Sequence, residues 1–147
     1  MKKFRILYLL GLLVVLATAC ESDNNEFDAD RTTIVGFTDK SKNINSIPEG
    51  GSKSTTVKVF VNDVSTEDRT FNVIEVPIED PVTNPPTDAG NYSFPSSLVI
   101  PANSRVGEIE VTGIDVTITD ERSYFSIAIE GSATVVSGTK SVIGLRN

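Results

Sequence analysis

The chain contains no histidine and no tryptophan, and only one cysteine and one methionine. Without histidine, no triad or acid–base pair built on imidazole can form, and neither a histidine nor a multi-cysteine metal site is possible. A lone cysteine also excludes an internal disulfide. Positive charge is scarce: 13 Lys and Arg stand against 20 Asp and Glu, a formal charge of −7. No basic patch interleaved with aromatics occurs, so nucleic acid is not an expected partner. Leucine nearly vanishes after the start, since six of the eight lie before residue 17. The 147 residues allow one domain but not two substantial ones.

Those six leucines mark a leader. Lys2, Lys3 and Arg5 precede an apolar run from Ile6 to Leu16, broken only by Gly11, and Ala17-Thr18-Ala19 follows. A basic start, a short apolar stretch and small residues before the cut describe a secretory signal over residues 1–19. The run is shorter than the roughly 20 residues of a membrane-spanning helix, which argues against a permanent anchor. Ala17-Thr18-Ala19-Cys20 resembles the lipobox of bacterial lipoproteins, with Ala17 where leucine is commoner. The resemblance implies that Cys20 is diacylated and becomes the mature N-terminus, so the membrane is a partner through that lipid. The alternative is an ordinary cleaved signal followed by a chance cysteine. Several acyl chains hold a protein on a membrane where one does so only marginally.

Glu21 to Asp30 carries five acids, no base and one aromatic, Phe27. So polar a stretch cannot bury enough apolar area to fold, and residues 20–31 are expected to be a lipidated cysteine and acidic flexible tether. Acids directly behind the cysteine resemble the surface-export signals of Bacteroidetes lipoproteins. The expected location is therefore the outer membrane, lipid-anchored and facing outward. A periplasm-facing orientation is the alternative, and solubility alone is the plain explanation of the acids.

Beyond residue 19 the charge becomes −10, from ten bases and twenty acids. Isoleucine and valine there total 27 and threonine 14, against two leucines. β-Branched side chains suit strands, and no stretch keeps helical apolar spacing beyond a turn. Residues 32–147 are expected to form an all-β, two-sheet sandwich of seven to nine short strands. Thr32–Phe37 reads as a first edge strand, and residues 43–51 as a connection. In Thr55–Val61, residues Val57, Val59 and Val61 share one face, while Phe60 joins Lys58 on the other and asks for a covering loop. Phe71 and Val73 differ in parity from Ile74, Val76 and Ile78, which calls for a bulge or burial on both faces. Glu79–Asn91, with three prolines, is the long loop and the first place to look for binding. Ile109 and Val111 point inward, and Gly113 suggests a bulge or a bend before Ile114–Thr119. Phe125, Ile127 and Ile129 line one face of a strand that precedes two more, joined at Gly138.

Three stretches carry a family likeness: Pro48-Glu49-Gly50-Gly51 before TVKVFV, Asn91-Tyr92-Ser93-Phe94-Pro95 before SLVIPANSRVGEIEV, and the closing YFSIAIEG. Together they resemble the Calx-β-like and related immunoglobulin-like modules of Bacteroidetes lipoproteins. Asn103 stands where that pattern has glycine, and asparagine tolerates the left-handed conformation. The Cys…Trp…Cys pin of antibody domains is missing. In calcium-binding members of the family, loop acids hold the metal. The corresponding acids here are Asp63, Glu67 and Asp68, then Glu79 and Asp80, then Asp120 and Glu121. They form no EF-hand pattern, and solvated turn carboxylates are the ordinary reading.

No motif assigns a catalytic residue, a cofactor or a metal site. Small sandwiches seldom hold two carboxylates in a deep cleft, so an enzyme is not expected. The expected role is an accessory lipoprotein of the bacterial envelope that binds a glycan or a protein. A spacer or assembly protein of the outer membrane, and a small calcium-binding adhesion module, are the alternatives. Tyr92 and Phe94, beside the long loop, are the candidate ligand-binding residues; burial in the core is their competing role. A glycan binder should show a concave patch with an exposed aromatic and polar groups. A spacer should show no such patch, or a flat apolar face or open sheet edge.

Overall fold

The computed structural model describes residues 32–147. The signal over residues 1–19, Cys20 and the tether up to Arg31 lie outside the described residues. Ten strands run in chain order: β1 Thr33–Phe37, β2 Ser41–Ile44, β3 Ser52–Val61, β4 Arg69–Val76, β5 Tyr92–Ser93, β6 Ser97–Ile100, β7 Val106–Ile114, β8 Ser123–Ile129, β9 Val135–Ser137 and β10 Ser141–Leu145. They make two five-stranded sheets, ordered β5-β7-β3-β1-β9 and β2-β10-β8-β4-β6. The fold is the expected all-β sandwich. Among the described residues, helix is confined to one short turn at Ala89–Asn91, and no helix is long and apolar enough to cross a membrane.

The core follows from period-two alternation. Val57, Val59 and Val61 of β3 are buried, as are Ile109 and Val111 of β7, Phe125, Ile127 and Ile129 of β8, and Ile143 and Leu145 of β10. A paired charge fixes the β3–β4 connection. Asp63 is almost fully buried, and Arg69 donates to its Oδ1 at 2.8 Å and to its carbonyl at 2.9 Å. Asn103 takes φ 60, as its turn position asks, and its N–H donates to the Ser65 carbonyl at 2.7 Å.

Several local expectations need correction. β1 is not an edge: it pairs antiparallel with β3 and parallel with β9. Ser41–Ile44, taken partly for a connection, is an edge strand parallel to β10. Only Ile44 of its four side chains is buried, so backbone pairing rather than an apolar pattern defines it. β4 has no bulge at Val73–Ile74, because its register with β8 runs unbroken from Val73 to Val76. Phe71 and Val73 face the core, while Ile74 is partly exposed on the outer face. Gly113 lies inside the continuous strand β7, where a Cβ would come within 2.7 Å of Ile47 Cδ1. Residues beyond Ile114 form a loop up to Ser123, with Ile118 buried and Val116 exposed.

The chain changes sheet twice at one place. β1 belongs to the first sheet and β2 to the second; β9 and β10 do the same. At the crossing, Phe37 N–H donates to the Thr139 carbonyl and Gly138 N–H to the Val35 carbonyl, both at 2.8 Å. A Cβ on Gly36 would lie 2.5 Å from Thr139 N and 2.9 Å from Gly138 C, both rigid backbone atoms. Gly36→Ala should therefore cost about 1–3 kcal/mol in urea denaturation, the range of an overpacked site. Gly131→Ala, where the nearest atom is 3.4 Å away, should cost less than 1 kcal/mol by the same reasoning.

Candidate functional site

Tyr92 and Phe94 stand at one margin of the sandwich, half-buried and packed against the core cluster. Tyr92 stacks on Phe125 with ring centroids 3.9 Å apart, and Phe94 lies 6.2 Å from both. These rings therefore pack mainly on each other and on the core rather than forming an open platform. Glu75 shares the parity of Phe71 and Val73 on β4, and it accepts the Tyr92 hydroxyl proton in a hydrogen bond. Burial, followed by the hydrogen bond and charge of Glu75, holds the phenol protonated well above its usual range.

The long loop is pinned at three places. Asp80 Oδ1 accepts the N–H groups of Val82 and Thr83 at 3.2 Å, and its bonds to Thr83 lower its carboxyl pKa. Pro85–Thr87 then takes the place beside β8 that β4 leaves after Val76. There Tyr124 N–H donates to the Pro85 carbonyl at 2.9 Å, and Thr87 N–H donates to the Tyr124 carbonyl at 2.8 Å. At the loop's end Asn91 is buried. Its side-chain amide donates to the Thr87 and Thr117 hydroxyls, and its carbonyl accepts the N–H groups of Val116 and Thr117. Asn91 opens one of the family-like stretches, but its anchoring role gives no periodic signal in the sequence.

This pinned loop walls a trough on the outer face of the second sheet. One depression of about 460 Å³ is lined by Glu75, Val76, Pro81, Pro86, Thr87 and Tyr124, with Ser126 at its floor. A neighbouring depression of about 600 Å³ is lined by Lys40, Val76, Glu79, Ala128, Lys140 and Val142, together with Ser137–Thr139. Val76 borders both. Val76, Ser126 and Val142 lie in one cross-strand row, and Ala128 lies two residues beyond Ser126 on the same face. Glu79 reaches from the loop to Lys140 on the turn before β10, with Oε1 and Nζ 2.7 Å apart. Volumes in this range, apolar floors and a few polar groups at the rim are features of small-ligand sites.

The outer face of the first sheet is different. Ile34, Phe60, Val106 and Val136 are each 43–48% exposed. No loop covers Phe60, contrary to expectation. It lies over Gly36 beside an apolar groove of about 450 Å³ lined also by Ile34, Thr38, Asn62 and Gly138. The loop acids do not converge: Asp63 pairs with Arg69, and Asp68 accepts the Ala102 N–H. Among the described residues, no three His, Cys, Asp or Glu side chains are placed to hold a metal ion.

No family model and no curated protein matches the sequence. Solved structures with the same fold do. A candidate carbohydrate-binding protein from Bacteroides ovatus superposes with a TM-score of 0.61 at 10% identity, over 77% of this chain and 36% of that one. A two-domain protein of unknown function from Bacteroides fragilis gives 0.57 at 16%, over 78% and 45%. The apo Calx CBD1 domain gives 0.56 at 12%, over 79% and 97%. The Calx-β-like fold is thereby established, and the chain spans less than half the length of these two Bacteroides chains.

Two outcomes follow from the pinning contacts. Asn91→Ala removes four side-chain hydrogen bonds from a buried position and should lower unfolding free energy by about 1–3 kcal/mol in urea. Tyr92 keeps its proton in the folded state, whereas an unfolded tyrosine loses it near pH 10. Its contribution is therefore full below about pH 10 and lost as pH rises beyond it. Urea midpoints measured from pH 8 to 11 should fall more steeply for the native protein than for Tyr92→Phe. Parallel curves would contradict a Tyr92 hydroxyl held protonated by burial and Glu75.

Proposed function

We propose that this chain is a non-enzymatic accessory protein of the bacterial envelope that binds a glycan in the trough of its second sheet. Cys20 holds it on the outer membrane through lipid, with the domain facing the cell surface; a periplasm-facing orientation is the alternative. The carrying observation is the trough itself: an apolar floor of Val76, Ala128 and Val142 under a rim of carboxylates, ammoniums and hydroxyls. Sugars present C–H faces and hydroxyl edges, and such a surface complements both. The fold shared with a candidate carbohydrate-binding protein is consistent with this reading.

A protein partner is the second reading, supported by the exposed Ile34–Phe60–Val106–Val136 patch. Contiguous exposed apolar surface commonly marks such interfaces. A pure spacer has no need of the trough, and a calcium module lacks support from acids that stay apart.

Two measurements test the proposal. Cells fed labelled fatty acid should label the native protein and not Cys20→Ala; persistent label on the variant refutes the lipid site. The full-length protein in detergent should bind a subset of an array of plant and host glycans, and Ala128→Trp should weaken that signal at least about tenfold, or 1.4 kcal/mol. Loss with Phe60→Ser instead, at undiminished binding by Ala128→Trp, would move the function to the apolar patch.

A further inference from the structure

The trough is longer than one sugar requires. Its two depressions, about 460 and 600 Å³, meet at Val76, and each has its own floor and rim. On β8 the first depression covers Tyr124 and Ser126 and the second covers Ala128, and only the second reaches Val142 of β10 and Lys40 just before β2. Ser126 and Ala128 stand two residues apart on β8, about 6.8 Å along the strand, and a chain of sugars occupying both depressions would place successive rings over these two positions.

The rim also carries balanced charge. Glu75 and Glu79 contribute two carboxylates, and Lys40 and Lys140 contribute two ammoniums. Glu79 and Lys140 already neutralise one another at 2.7 Å, and that pair leaves polar atoms facing the second depression. Lys40 adds a further ammonium at the second depression and Glu75 a carboxylate at the first, so a run of acidic sugars spanning both meets no net positive charge, and the domain as a whole is acidic. Val76, Ala128 and Val142 supply apolar surface for C–H faces, and Thr87, Ser137 and Thr139 supply hydroxyls at the margins.

Resting on the glycan reading above, we infer that the trough takes an uncharged oligosaccharide of two or three units spanning both depressions, not a single sugar or an acidic chain. Titration calorimetry on the full-length protein in detergent tests this with ladders of one to five units. The probes are β-1,4-glucose, β-1,4-xylose and α-1,6-mannose oligomers, with a galacturonate ladder as the acidic probe. Affinity for at least one neutral ladder should rise about tenfold or more from one unit to three and then level off. The galacturonate trimer should bind at least about tenfold more weakly than that neutral trimer. Lys140→Ala, at a half-buried position whose ion-pair partner Glu79 is largely exposed, should weaken the trimer more than the single sugar, with the urea midpoint checked alongside. A single sugar that binds as well as its trimer, or a preferred galacturonate, overturns the inference while the glycan reading stands. If no ladder and no arrayed glycan binds, the glycan reading itself fails.

Discussion

At Gly36 the first strand and the turn before the last strand touch backbone to backbone, and both outer faces of the sandwich depend on that contact. The missing side chain lets β9 pair in parallel with β1 before the chain turns at Gly138 into β10. Gly138 and Thr139 then border the trough on the second sheet and the apolar groove on the first. A larger residue at position 36 would move that turn, and with it one wall of each surface. The same crossing lets β2 and β10 close the second sheet in parallel.

The long loop contributes the opposite wall by a different device. β4 stops at Val76, and a proline-rich segment with few free N–H groups takes over its place beside Tyr124. Asn91 anchors the loop's end with four hydrogen bonds. Buried polar groups satisfied in this way specify one conformation, because any other leaves donors unpaired. The trough is therefore held between two fixed backbones, which suits recognition of a shape with little reorganisation on binding.

Much of this was legible in the chain itself. Alternation in 57–61, 109–111 and 125–129 marked the core, and Asn103 takes the left-handed turn that its place in the family pattern suggested. The trough was not legible, because its floor is made of unremarkable outward residues: Ser126 and Ala128 are small and lie on the face of β8 opposite Phe125, Ile127 and Ile129. Only the three-dimensional return of the loop and the turn converts that face into a depression. Likewise β2 has one buried side chain and no pattern to find, and the parity change at Ile74 reflected outward apolar residues rather than a bulge. Tyr92 and Phe94 stand beside the long loop, yet their rings pack against Phe125 and the core, and Glu75 lies between the Tyr92 hydroxyl and the trough. Among the described residues, Phe60 is the exposed ring, on the other sheet.

The central claim is that the outer face of the second sheet is the binding face. Amide chemical-shift mapping by NMR, with the tightest-binding arrayed glycan added to the protein, tests it directly. The account predicts shifts concentrated at Val76, Thr87, Ser126, Ala128 and Val142, with Ile34, Phe60 and Val106 unmoved. Shifts centred on Ile34, Phe60 and Val106, with a silent trough, would contradict it.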